Sequence, residues 1–386
     1  MYSDWPHYNQ KIINQVSSVI KTGNLNIWKG KFNIALEKKF SKYTKTKYAL
    51  SVATGSIALD IALKAIGIKK NDEVIVTSKS YFISAACVLN LDAIPKFADV
   101  DYDTQNISID SIKKNISKKT RAIICVHLGG LPCNMEELIK ICKSNNIKLI
   151  EDCAQAHGAK YNNIPVGSFG DISCWSFCND KIISCGEGGM IVTNNLNLWK
   201  RAWSFREGGR NIDAIKKQKN KIGFKFIHET LGLNSRMTEI QSIICLEQLK
   251  ELDQNIKKRI SNANKIKKIL NKYKFINIPE SKKKYYNSYY RLYVKVENNV
   301  DKSNPKFRNL LLKKLISKGI PCEEGSCSEI YLEKPFKSFR VKRKPNAKKT
   351  SINSIAFKVH HTLKRYEIND ICKSIDIVLK KINRNL

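Results

Sequence analysis

The chain reads as an α/β protein: a large domain with a mostly parallel central sheet flanked by helices, followed by a smaller C-terminal α/β domain. Three observations predict this. Near-continuous apolar runs such as EVIVTS, RAIICV and IKLIED are what strands buried on both faces require. Stretches with apolar residues at helical spacing separate them, and the alternation is that of βαβ units. A chain of 386 residues is also long enough for two cores. The large domain is expected over residues 1–250, including an N-terminal entry segment, and the small one over 251–386.

Taken in order, Ile12, Ile13, Val16, Val19 and Ile20 predict an amphipathic helix, and Leu36 and Phe40 within Phe32 to Tyr43 predict a second. The glycine-bearing loop between them carries Trp28, whose plainest role is packing. Ser51 to Ile68 opens on a small-residue turn and becomes a helix with Thr54, Gly55 and Ser56 at its N-terminus. Free N–H groups and the positive dipole end make such a terminus an anion site, although Thr and Ser also simply cap helices. EVIVTS, YFISAACVLNLDA and IPKFADVD then read as strand, helix and strand, with Tyr81 just beyond a strand's C-terminal end, as a rim aromatic or a ligand contact. RAIICVHLGG, MEELIKICKSNN and IKLIEDCAQAHG repeat the unit. They place Asp152 at the carboxyl end of a very apolar strand and Gln155 in the loop after it. A carboxylate there serves either a metal or a cationic cofactor atom.

Ile172 to Phe177 and Met190 to Thr193 predict two buried strands around a polar turn with Lys181 and a glycine cluster. Lys181 is either one more solvated turn lysine or a desolvated amine able to form a Schiff base. WKRAWSFREGGRN is expected as a helix ending at glycines, and residues 212–229 as a mobile loop. LGLNSRMTEIQSIICLEQLKEL resumes as helix with Met237, Ile240 and Ile244 in step, and a separate charged helix from Leu252 to Tyr273 marks the domain boundary. Strand YYRLYVKV, helix NPKFRNLLLKKLISKG, loop EEGSCSEIY and helix YEINDICKSIDIVLKKI complete the small domain.

Composition narrows the function. The formal charge of +35, from 69 Lys and Arg against 34 Asp and Glu, raises nucleic acid as a partner. The basic residues are spread along the chain, however, and only FKFIH hints at aromatic interleaving, so a solvated lysine surface with some attraction for anionic small molecules is expected and no nucleic acid. The absence of GxxxxGK and GxGxxG removes the main support for NTPase and dinucleotide readings. Most of the 12 cysteines, including Cys87, Cys125, Cys142, Cys153 and Cys245, sit in apolar runs as reduced packing residues, and no paired CxxC motif predicts a metal. Without a signal peptide or a membrane-length apolar run, no membrane association and a cytoplasmic location are expected.

Joined in order, ATGSIALDIAL, AIPKFADVD, VHLGGLPCNME, IEDCAQAHGAKYNNIPVGSFGDISCWSF, GEGGMIVTNN, LGLNSRMTEIQ and FKVHHTLKRYEI resemble the DegT/DnrJ/EryC1/StrS family over nearly the whole chain. Members are pyridoxal-phosphate-dependent sugar aminotransferases of the aspartate-aminotransferase fold, fold type I. The resemblance implies that Lys181 is the Schiff-base lysine and Asp152 the acid facing the pyridine nitrogen of pyridoxal 5′-phosphate. Tyr81 falls at the ring-stacking position, Gln155 faces the phenolic oxygen, and Thr54, Gly55 and Ser176 form a phosphate cup. Asn234 matches a residue that reaches the phosphate of the neighbouring subunit's cofactor, implying a homodimer with shared active sites. Trp28 and His360 are expected near the substrate.

The implied reaction moves an amino group from L-glutamate to a nucleotide-diphosphate ketosugar, giving an aminodeoxysugar nucleotide for surface polysaccharide such as O-antigen. Leu233 stands where relatives often have Tyr, and the turn reads FCNDK rather than a commoner form; both bear on sugar preference. The alternatives are a sugar dehydratase of the same fold, whose group replaces the lysine with histidine, a cofactor-binding regulator, or a basic nucleic-acid-binding protein. Lys181 favours transamination.

Overall fold

Local side-chain caps start several of the helices. The side chain of Asn9 accepts from Ile12 N and opens α1 (Gln10–Lys21), which buries Ile12 and Val19. Next, α2 (Phe32–Thr44) turns Leu36 and Phe40 inward. Strand β1 (Tyr48–Val52) leads to α3 (Gly55–Ile66), capped by Thr54 and closed by Gly67 in the left-handed region at φ 90°. The βαβ pattern then repeats through β2 (Glu73–Thr77), α4 (Ile83–Leu89), β3 (Ile94–Ala98), α5 (Ile109–Asn115), β4 (Thr120–Val126), α6 (Met135–Ser144) and β5 (Lys148–Asp152). Two short strands, β6 (Lys160–Tyr161) and β7 (Ile164–Pro165), form a hairpin. Its two turn residues, Asn162 and Asn163, both have positive φ, as such turns demand. Strands β8 (Ile172–Ser176) and β9 (Gly189–Thr193) and helices α7 (Leu196–Arg206), α8 (Ile212–Lys217) and α9 (Glu239–Leu270) follow. The remainder comprises β10 (Ile276–Asn277), β11 (Tyr285–Tyr286), β12 (Leu292–Val296), α10 (Lys306–Ser317), β13 (Cys322–Glu324), α11 (Pro345–Asn353), β14 (Ser354–Phe357) and α12 (Arg365–Asn383). This computed structural model describes residues 2–218, 222–279, 282–297, 305–325 and 327–384.

The central sheet has seven strands in the order β1-β9-β8-β5-β4-β2-β3. Pairings from β3 across to β8 are parallel, and β9 runs antiparallel to both β8 and β1. Side chains alternate between faces as strand geometry requires. In β4, Ala122 and Ile124 join the core beneath α3, α4 and α7, whereas Ile123 and Cys125 join the one beneath α5 and α6. On that second side α2 and α9 cover Trp175, Phe177 and Met190. Each fully buried Leu or Ile contributes about 2 kcal/mol. A second, antiparallel sheet has the order β10-β12-β14-β13, and its core with α10 and α12 includes Val294, Leu311, Ile355 and Ile375. No helix among the described residues is long and apolar enough to cross a membrane.

The structure corrects the sequence reading in several elements. The expected break at Leu252 is absent: α9 is one helix of 32 residues, running through position 250. Leu249 and Leu252 pack against the first sheet, and Ala263, Ile266 and Leu270 against the second, so one uninterrupted stripe serves both cores. A capping box between Thr238 and Gln241 starts it, which leaves Met237 buried ahead of the helix rather than in it. The segment expected to be a mobile loop begins with α8, capped by Asn211; its residues 219–221 lie outside the described residues. The helix expected from Tyr81 starts at Ile83, and the elements α5, α11 and β14 have no counterpart in the sequence reading.

Candidate active site

Strands β5 and β8 end beside the N-terminus of α3, and a cavity of about 850 Å³ opens there. This is the carboxyl edge of a parallel sheet, where loops diverge and leave space. Asp152 closes β5 and lies on the cavity wall. Its buried carboxylate accepts from Ser84 Oγ at 2.9 Å and from Ala154 N at 3.1 Å. Burial pushes its pKa up, against the pull of those donors and of Lys181.

Lys181 projects into the same cavity from the turn between β8 and β9, and its side chain is 16% exposed. Its Nζ donates to Asp180 Oδ1 at 3.0 Å and lies 3.5 Å from the Tyr290 hydroxyl. Trp5 Nε1 donates to the Lys181 carbonyl at 2.7 Å, tying the turn to the N-terminal segment.

Two glycines bring the α3 terminus against the sheet. A Cβ on Gly55 would stand 2.6 Å from the Ser176 Cβ, and one on Gly189 would stand 2.4 Å from the Thr54 carbonyl oxygen. With those side chains absent, Thr54, Gly55 and Ser176 line one end of the cavity and free N–H groups of the first helical turn face it. Tyr81, 66% exposed, lines the cavity, as does Gln155, whose Oε1 accepts from Gly129 N at 2.7 Å.

Thr54, Gly55, Tyr81, Asp152, Gln155, Ser176 and Lys181 therefore share one cavity. Three other expected site residues do not line it. Asn234 is exposed and bridges to Glu207. Trp28 is half-exposed and lies under the guanidinium groups of Arg210 and Arg236 at 5.4 and 5.5 Å. His360 is buried and pairs with Thr362 Oγ1 at 2.6 Å, its pKa lowered to about 4 by burial and by Arg259 and Arg291. Sequence reading missed Ser84, Asp180, Tyr290 and Glu323. Ser84 lies one helical turn beyond Tyr81 and Asp180 adjoins Lys181, so both were within reach of a local argument. Tyr290, just ahead of β12, and Glu323, on β13, are distant in sequence, and no local pattern marks them.

The charged side chains lining the cavity are Asp152, Asp180, Glu187, Glu323 and Glu324 against Lys181 alone among the described residues. A chain of net charge +35 thus has an acid-rich cavity. Behind Asp152, His127 Nε2 pairs with Glu151 at 3.1 Å in full burial. Gly167, Phe169 and Gly170 donate their N–H groups to the same carboxylate, and Ser173 its hydroxyl. That satisfies Glu151 as a structural ion pair, although Cys153 lies within metal-ligand range of both.

A parallel-rich sheet with a lysine and a carboxylate converging beside a helix N-terminus defines a fold type I transferase. The chain belongs to the DegT/DnrJ/EryC1/StrS aminotransferase family, whose model matches residues 6–376. It is 38% identical over 288 residues to GDP-perosamine synthase of Escherichia coli O157:H7, covering 75% of each chain. It is 35% identical over 232 residues to GDP-perosamine synthase of Vibrio cholerae, covering 59% of this chain and 60% of that one. The aminotransferase from Psychrobacter cryohalolentis superposes with a TM-score of 0.95 at 37% identity, covering 99% of this chain and 100% of that one. The protein is thus an aminotransferase in a family of pyridoxal-phosphate-dependent sugar aminotransferases.

Proposed function

We propose that this cavity binds pyridoxal 5′-phosphate and that the chain transfers the amino group of L-glutamate to a nucleotide-diphosphate-linked ketosugar. The observation that carries the reading is the convergence of Lys181, Asp152 and the α3 N-terminus on one cavity. The cofactor fits these residues. The glycine-lined helix terminus suits a dianionic phosphate, and Asp152, buried with two neutral donors, suits a cationic ring N–H. Thr54, Gly55 and Ser176 would hold the phosphate, Tyr81 one face of the ring, and Gln155 the phenolic oxygen. When bound, the cofactor supplies an electron sink. Lys181 would tether it and, once displaced by the donor amine, would serve as the base that takes the proton from the donor's Cα and passes it on to the cofactor. Asp152 keeps the ring nitrogen protonated.

The relatives named GDP-perosamine synthase support a nucleotide-linked sugar and make GDP-linked ketosugars the first to test. The product would be an aminodeoxysugar nucleotide for surface glycan synthesis in the cytoplasm. Both proposed substrates are anionic, whereas the single-chain cavity is acid-rich, so cations from a second copy complete it. Asn234, Arg210 and Arg236 lie on one stretch of chain outside the cavity, next to the exposed apolar residues Phe224, Phe226 and Leu231. This supports a homodimer with shared sites. We also propose a large domain over residues 1–250 and a small one over 251–386; the support is that α9, which runs across position 250, contributes to two separate cores.

The test combines labelling with turnover. Borohydride should fix the cofactor to Lys181, and a panel of nucleotide-linked ketosugars with glutamate should yield an amino sugar from at least one member. Labelling of another lysine, or glutamate failing to bleach the visible band, would overturn the reading.

A further inference from the structure

The lysine turn contains a second acid whose place in the chemistry the family reading leaves open. Asp180 Oδ1 accepts from Lys181 Nζ at 3.0 Å. The other oxygen of the same carboxylate accepts a hydrogen bond from the Tyr290 hydroxyl. Tyr290 itself lies 3.5 Å from the Lys181 amine, so amine, carboxylate and phenol form a closed triangle on the cavity wall. Resting on the assignment of Lys181 as the reacting lysine, we propose that Asp180 is a further catalytic residue. Its carboxylate, positioned by Tyr290, stabilises the protonated form of the Lys181 amine during the proton shuttle.

The surrounding charges support this. Arg291 stacks on the Tyr290 ring at 4.5 Å, but its Nε donates to Glu323 at 3.0 Å and its nearest approach to Asp180 is 3.9 Å. Glu323 thus draws the guanidinium aside and leaves the closer contact with Asp180 to the lysine. Of the other ionisable groups around the amine, Asp152 belongs to the ring nitrogen. His157 is neutral, with burial holding its pKa down to about 3. Burial alone would raise the pKa of Asp180, but Lys181, the Tyr290 hydroxyl and Arg291 outweigh it and hold the carboxyl below its usual range. Asp180 therefore stays an anion while the lysine changes state. In the shuttle the donor's Cα–H bond breaks and an N–H bond forms on Lys181; that N–H bond would break in turn as the proton passes to the cofactor's C4′. No bond to Asp180 or Tyr290 is made, so neither gains nor loses a proton overall. A carboxylate held at 3.0 Å offers the protonated amine a charge-assisted hydrogen bond that a neutral amide at position 180 would not.

The test uses the holoenzyme and reads the pH midpoint at which its visible band shifts, separately from turnover. Asp180→Asn should move that midpoint down by about one pH unit, discounted for the carboxylate's partial exposure, and lower kcat about tenfold with KM little changed. Arg291→Gln removes a like charge and frees Glu323, so it should move the midpoint up. Asp180→Glu keeps the anion and should restore the parent midpoint, which a merely structural turn residue would not do. Borohydride labelling of each variant separates two failures. Label on Lys181 with an unmoved midpoint in Asp180→Asn overturns the role of Asp180, whereas label on another lysine overturns the assignment of Lys181 itself.

Discussion

The indole of Trp5 holds the main chain of Lys181: its Nε1 donates to the lysine carbonyl at 2.7 Å across 176 residues of sequence. The segment around it is fastened at the other end to α12, where Tyr2 donates to Asp370 at 2.6 Å and Ser3 N to Glu367 at 2.6 Å. The turn that carries Lys181 is therefore strapped to the C-terminal helix.

Replacing Trp5 by Phe tests that strap. The ring's edge contact with His361, at 4.4 Å between centroids, can persist while the N–H donor is lost. Stability should fall by about 1 kcal/mol, a shift of about 2 °C in thermal midpoint. Cofactor should be retained, and kcat should fall about tenfold because a displaced amine is costly to catalysis. An unchanged kcat would show that the turn is held without this bond.

Gly189→Ala probes the seat of the proposed phosphate cup. The new Cβ would meet the Thr54 carbonyl oxygen at 2.4 Å and the Gly55 nitrogen at 2.9 Å, both backbone atoms that cannot rotate away. Either α3 retreats from β9 or the sheet edge moves. The expected cost is about 3 kcal/mol, with weakened cofactor affinity by titration of the visible band. Normal affinity with normal melting would mean that the helix terminus does not need this approach.

These positions show what was legible in the sequence. The βαβ alternation is local, so the strands carrying Asp152 and Ser176 and the helix opening at Thr54 could be read from short windows. The continuous α9 could not: two separate cores share its apolar stripe, and a change of partner looks in sequence like a break. The proposed partners of Lys181 divide the same way. Asp180 is its neighbour in the chain, but Tyr290 reaches it from β12's approach and Trp5 from the N-terminal segment, contacts that exist only after both sheets have formed.

Buried histidines should set the acid limb of stability. Burial, helped by Lys181 and Arg259, lowers the pKa of His157 to about 3, and both ring nitrogens lack partners among the described residues. His360 is lowered to about 4 and His361 to about 2. The unfolded chain takes protons on these rings near pH ~6.5 while the folded one does not. Their contribution is therefore present above pH ~6.5 and is lost as pH falls towards the folded values, at about 1.4 kcal/mol per pH unit per ring. Asp152 acts in the opposite sense, since its raised carboxyl takes a proton first in the folded state. Buried His127, whose pKa is raised, also acts in the opposite sense and loses its contribution as pH rises, so urea unfolding of the apo protein should steepen below pH ~6 through His157, His360 and His361. His157→Phe, which retains the stack on Trp175 and Phe177, should remove one proton's worth of that slope. An unaltered slope would place a polar partner or water on the ring.

The proposed sharing of the site between two copies yields the most discriminating experiment. Lys181 lines the cavity of its own chain, whereas Asn234 is exposed outside it. Lys181→Ala should abolish transfer while leaving the fold intact, and Asn234→Ala should weaken cofactor retention. If Asn234 serves the partner's cavity, a hybrid of the two variants has one site with both defects and one site with neither. Random reassortment makes half the dimers hybrids, each with one intact site, so the mixture should recover about a quarter of parental activity. Recovery should require refolding or co-expression rather than simple mixing if the dimer exchanges slowly. A chain acting alone, or one in which Asn234 serves its own cavity, would give no recovery, because every cavity would then carry one of the two defects.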